Sequence, residues 1–196
     1  MTALTSPYIW YTSRTTGVVS LVFLTLVCVL GILVSTRVGG RRIGRFEINE
    51  LHRSVSMTAM IFVAIHVVTT VIDTYVPIGW ISSVVPYTSS YKRLPVAIGT
   101  VAFDVMLAVW LSSIVKERLN FTTWRALHWG AYLAFVNSAL HAYTVGTDAH
   151  AHWCLYTLYG CLGLILCALA WRVLARPARA VGRTAYSPLT PPERGR

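Results

Sequence analysis

Five long apolar blocks separated by short polar connections set the pattern of this chain. They run from about Thr16 to Ser35, Leu51 to Ile72, Leu94 to Val115, Trp124 to Val145 and Trp153 to Leu174. Each approaches or exceeds the roughly 20 residues that a helix needs to cross a ~30 Å hydrocarbon layer. The pattern predicts an all-α integral membrane protein, a bundle of five transmembrane helices over residues 1–175, with a flexible basic tail over 176–196 that contains Pro188, Pro191 and Pro192. The first block is too long for a signal-peptide core and is expected to stay as a helix. A composition of 55% hydrophobic and 12% charged residues fits the same class.

Within this pattern four histidines interrupt two of the blocks. His52 and His66 lie 14 residues apart in the second block, and His128 and His141 lie 13 apart in the fourth. An imidazole facing hydrocarbon is costly and marks a pathway, a partner or a cofactor. At 1.5 Å per residue, each pair spans roughly 20 Å, which sets one histidine near each membrane face. The four are read as axial ligands of two stacked haems. A haem held by two neutral imidazoles is a six-coordinate centre that moves single electrons and leaves no open iron position.

Helical phase supports one pair and strains the other. Fourteen residues at about 100° each fall about 40° short of four turns, so His52 and His66 share a face. Thirteen residues leave His128 and His141 about 140° apart in an ideal helix. The fourth helix must therefore tilt, rewind or bulge, and Gly130 is one place where it could yield.

The net charge of +10 changes the picture only through its distribution. Arg37, Arg41, Arg42 and Arg45 follow the first block, Lys116 and Arg118 follow the third, and Arg172, Arg176, Arg179, Arg183, Arg194 and Arg196 follow the fifth. The opposite connections hold Arg14, Lys92 and Arg93 with the acidic Asp73 and Asp148. The expected topology is N-terminus outside and C-terminus cytoplasmic in a plasma membrane, a bacterial inner membrane by the compactness and arginine-rich ends. Nucleic-acid binding is a poor reading of this charge, whereas contact with membrane lipid or an acidic cytoplasmic partner suits it. In this topology the second and fourth helices run the same way. His52 then pairs with His128 at an inner level, and His66 with His141 at an outer one.

The two paired spacings, together with Leu51-His52-Arg53 and Trp124-Arg125-Ala126-Leu127-His128, resemble the ferric reductase-like transmembrane domain superfamily, whose relatives include NADPH oxidases, ferric reductases and a methionine sulfoxide reductase haem subunit. The resemblance covers roughly Trp10 to Ala170. It implies a membrane cytochrome b with two non-covalent haem b groups. Ser13-Arg14-Thr15-Thr16-Gly17 resembles the segment that opens the first shared helix, which would set Arg14 near the outer haem propionates; an arginine snorkelling to water is the plain alternative. Arg53 and Arg125 flank the inner ligands and could pair with a propionate or act only as topology signals.

Departures from the family are as informative. No glycine-rich nucleotide fingerprint follows a strand, so the expected donor is a separate cytoplasmic flavin/NAD(P)H or iron–sulfur reductase, or a quinol. The chain is then an oxidoreductase subunit that passes electrons from inner to outer haem and on to an extracytoplasmic acceptor such as a ferric chelate, oxygen, a quinone or a redox protein. Many NADPH oxidases carry a histidine one turn beyond the outer ligand; Thr70 stands there, which argues against dedicated superoxide production.

Other readings stay open. A haem-free transporter could use the histidines and Asp104 as a proton or metal relay, a structural subunit could use the histidines for interhelical hydrogen bonds, and a single-haem anchor could bind through one pair alone. Asp148, His150 and His152 could hold a metal in an outer loop. The cysteines read as small apolar residues, and no C-x-x-C-H string provides covalent haem attachment. Phe62 and Phe135 lie between the two histidine levels. The connection from Asp73 to Arg93, with Trp80, Tyr87 and Tyr91, is expected to cap the outer haem.

Overall fold

The computed structural model describes residues 7–36, 44–73, 75–146 and 148–174. The expected tail over 176–196 and the arginines at 37, 41 and 42 lie outside the described residues. Six α-helices and two 3-10 turns form, with no strand among the described residues: α1 (Pro7–Ser35), α2 (Arg45–Ile72), the 3-10 turn Trp80–Ser83, α3 (Arg93–Ile114), the 3-10 turn Lys116–Arg118, α4 (Phe121–His128), α5 (Gly130–Val145) and α6 (His152–Leu174).

Among the described residues four helices are long and apolar enough to cross a membrane: Pro7–Ser35, Phe46–Ile72, Arg93–Ile114 and His152–Leu174. The expected fourth crossing is divided. Asn120 caps α4 by accepting from the Thr123 amide at 2.7 Å, and the helix stops eight residues later at His128. At the break the Trp129 amide bonds the carbonyls of both Arg125 and Leu127. The Tyr132 amide reaches the Trp129 carbonyl at 3.2 Å, the i to i+3 spacing of a tightened turn. Arg172 of α6 clasps this point, donating to the Tyr132 hydroxyl at 3.0 Å with its guanidinium 4.9 Å from the Trp129 ring centre. Gly130 lets the segment close on α3, since a Cβ there would meet Val105 Cγ1 and Val109 Cγ2 at 3.2 Å each.

The bundle is built around α1, which packs on α2, α5 and α6, while α3 packs on α4, α5 and the Trp80–Ser83 turn. Leu21, Leu24 and Cys28 of α1 meet Val63 of α2, Met106 of α3, Ala134, Phe135 and Ala139 of α5, and Leu158, Cys161 and Ile165 of α6 in one core. Large apolar side chains such as Ile61, Ile65, Leu133, Val136, Leu164 and Leu166 remain exposed on the helices. A surface of that kind suits lipid. Polar side chains within the helices turn back on the backbone: Ser20 bonds the Thr16 carbonyl, Thr25 the Leu21 carbonyl and Ser56 the His52 carbonyl.

Two boundaries differ from the sequence reading. α1 is already helical at Pro7, where proline's fixed φ suits a first helical turn. α2 begins at Arg45, ahead of the apolar block, because hydrogen bonding carries the helix on through Glu47 and Glu50 after hydrophobicity ends.

Candidate functional site

The four histidines come together in the two expected pairs. The ring centres of His52 and His128 lie 6.2 Å apart with planes at 64°, and those of His66 and His141 lie 6.4 Å apart with planes at 79°. A metal bonded to two imidazole nitrogens at about 2.0–2.1 Å, with each ring centre about 1.1–1.2 Å behind its nitrogen, separates the centres by about 6.2–6.6 Å. Both pairs meet that spacing.

The break turns His128 and His141 towards a closer direction. A tightened turn adds about 20° per residue over the α-helical 100°, so one such turn reduces the 140° mismatch of His128 and His141 to about 80°.

Glycines seat the rings. A Cβ at Gly17 would lie 2.9 Å from His66 Cε1, a Cβ at Gly31 would lie 3.4 Å from His52 Cε1, and a Cβ at Gly99 would overlap the His141 ring. One turn before two of these glycines, a backbone carbonyl meets the same ring. His66 Nδ1 bonds the Ser13 carbonyl at 2.7 Å, and His141 Nδ1 bonds the Pro95 carbonyl at 2.9 Å. A carbonyl only accepts, so Nδ1 carries the proton in both rings and Nε2 keeps a free lone pair. That tautomer and that outer hydrogen bond suit a metal ligand. The Val27 carbonyl stands in the corresponding place before Gly31 and interacts with His52, although His52 Nδ1 makes no full hydrogen bond among the described residues. His128 breaks the rule. No described glycine faces it, its Nδ1 is buried without a partner among the described residues, and its ring instead stacks on Trp124 at 4.9 Å and 26°.

The His66–His141 pair lines a cavity of ≈ 270 Å³ whose other walls include Gly17, Gly99, Thr70, Ser138, Trp10 and Arg14. Ile78, Ser82 and Tyr91 of the connection between α2 and α3 also line it, as the expected cap requires. The Thr100 hydroxyl of α3 pins this cap by donating to the Ser82 carbonyl at 2.7 Å. Thr70 and Ser13 share a hydroxyl hydrogen bond at 2.6 Å beside His66.

Arg14 lines the cavity, forms an ion pair with Asp148 and lies 4.2 Å from the Trp10 ring centre. Arg53 is exposed, and Arg125 is exposed with its guanidinium 5.6 Å from the Phe121 ring centre. His150 packs edge-on against Tyr143 and His152 lies near Tyr156. Among the described residues no group of three or more His, Cys, Asp or Glu is arranged to hold a metal, so Asp148, His150 and His152 are not gathered into a site. Between the two levels Phe135 is buried and Phe62 packs on Phe23 at 5.3 Å. The seats at Gly31 and Gly99 and the carbonyls of Ser13 and Pro95 escaped the sequence reading. One signal was present, because Gly17 and Gly31 are 14 residues apart, the spacing of His66 and His52.

The family described as ferric reductase like transmembrane component matches residues 16–139. That segment contains His52, His66 and His128 and stops two residues before His141. Searches of curated proteins and of solved structures returned no match. With well over half of its length matched, the chain belongs to the ferric reductase-like transmembrane family, a membership that points to electron transfer across a membrane.

Proposed function

We propose that the protein is a di-haem membrane cytochrome b that carries electrons from a donor on the His52–His128 side to an acceptor on the His66–His141 side. The observation that carries this reading is the approach of both histidine pairs, with their ring planes steeply crossed, at the centre-to-centre separation that two imidazoles sharing one metal require. His52 and His128 would hold an inner haem, and His66 and His141 an outer one. Bound haem supplies the one-electron ferric/ferrous couple. The chain's own residues do the rest. The Ser13 and Pro95 carbonyls hold the His66 and His141 tautomers, Gly17, Gly31 and Gly99 seat the rings, and the cap from Ile78 to Tyr91 keeps water from the outer level. Arg14 at the cavity wall is suited to a haem carboxylate.

On this reading α4 and α5 together make one crossing, giving five, with the N-terminus outside and the C-terminus cytoplasmic. A flavin or iron–sulfur reductase, or a quinol, is the proposed donor. A ferric chelate, oxygen, a quinone or a redox protein is the proposed acceptor.

A single-haem reading draws on one observation, that among the described residues only the outer pair has both Nδ1 atoms fully hydrogen-bonded. Haem quantification on purified wild type, His52→Ala and His141→Ala separates the two. Two b haems per chain, with one lost in each variant, supports the di-haem cytochrome. An unchanged haem content in His52→Ala supports a single outer haem, and none in a folded, haem-supplied wild type overturns both.

A further inference from the structure

Three buried side-chain nitrogens lack hydrogen-bond partners among the described residues, and all three belong to one neighbourhood: His52 Nδ1, His128 Nδ1 and Trp124 Nε1. The indole nitrogen is the most telling. It can only donate, and a buried donor left unpaired forfeits its hydration with nothing in return. Trp124 is also not a casual surface residue. It lies one turn before His128, stacks on that ring at 4.9 Å, and carries the Lys116 ammonium 4.7 Å from its own ring centre.

Lys116, Trp124 and His128 thus form a file from the exposed rim to the proposed iron ligand. Among the described residues no acidic side chain pairs with Lys116, since Arg14–Asp148 is the only ion pair found there. An unpartnered N–H donor beside an unpaired cation is the chemistry that receives a carboxylate. The anion must come from outside the described chain. Resting on the di-haem reading, we infer that Trp124 Nε1–H and Lys116 are the anchor for a carboxylate of the inner haem. Trp124 thereby fixes His128 by stacking and the inner haem by hydrogen bonding, doing for this level what the carbonyl-and-glycine seats do for His66 and His141. Arg53 and Arg125, the flanking arginines, are exposed and are not needed for this contact.

The donor hydrogen bond and the ammonium both disperse negative charge near the iron, so removing either stabilises the ferric state. Trp124→Phe keeps the ring stack and deletes the N–H, and Lys116→Met deletes the charge. Potentiometric titration of each purified haem-loaded variant is the test. The expected result is two haems per chain with the inner midpoint lowered by an amount equivalent to about a threefold to tenfold change in the ferric/ferrous ratio, tenfold being about 59 mV, and the outer midpoint unmoved. Should Trp124→Phe shed the inner haem, benzothienylalanine at 124, which exchanges only N–H for sulfur, is titrated in its place. An inner midpoint unchanged by loss of the N–H overturns the inference and leaves a bound water as the indole's partner. A wild type with fewer than two haems overturns the reading beneath it, so the two failures are told apart.

Discussion

At the scale of single residues, three of the four proposed iron ligands, His52, His66 and His141, depend on what a neighbouring helix leaves out. The three glycine seats are graded by the room they provide. An added Cβ would overlap the His141 ring at Gly99, press His66 at 2.9 Å at Gly17, and make ordinary contact with His52 at 3.4 Å at Gly31. Alanine at these positions is therefore expected to lower haem occupancy in the order Gly99, then Gly17, then Gly31. Gly99→Ala should shed most of the outer haem, and Gly31→Ala should retain nearly all of the inner one. Absorption-based haem quantification reads this order directly, and equal losses from all three would remove the steric explanation. The histidines were legible in the sequence because imidazoles stand out against an apolar background. Their seats were not, because glycine in an apolar helix carries no such contrast and a backbone carbonyl has no sequence signature at all.

At the scale of elements, the break between α4 and α5 eases a conflict that the sequence already contained. Thirteen residues do not return an ideal helix to the same face, and the tightened turn at Trp129 supplies part of the missing rotation. Gly130 marked the right place. The clasp that holds it was not foreseeable, because Arg172 comes from another helix 40 residues away and read only as a topology signal. Arg172→Ala removes a hydrogen bond at 3.0 Å and a cation–π contact at 4.9 Å. Together these are worth about 1–3 kcal/mol, so the variant should melt at lower temperature in detergent. Its haem loss should fall first on the level of His128, which adjoins the break. A variant with wild-type melting and spectrum would show that the break holds itself.

At the scale of the whole molecule, the apolar pattern gave the helical bundle and the family matched over residues 16–139 agrees with it. The division of the fourth block did not emerge from hydropathy, because a break inside an apolar run changes hydrogen bonding and leaves composition untouched. The proposed polarity of the wire rests on charge: Lys116, Arg118 and Arg125 shortly precede His128 in the sequence, while Arg14 and Asp148 pair beside the outer cavity. Cysteine placed at Trp80, which is 60% exposed in the cap, should react with a membrane-impermeant maleimide on intact cells. Cysteine at Lys116 should react only after the membrane is opened. The reverse pattern would invert the direction of electron flow.

The pairing of ligands between helices is the claim on which the wire depends, and low-spin ferric electron paramagnetic resonance of the purified protein tests it most directly. Wild type should give two bis-imidazole signals, strongly anisotropic because the ring planes of both pairs stand at 64° and 79°. Loss of one and the same signal in His52→Ala and His128→Ala, and of the other in His66→Ala and His141→Ala, is the predicted result. Loss of a shared signal in His52→Ala and His141→Ala, or no haem signal in the folded wild type, would contradict it.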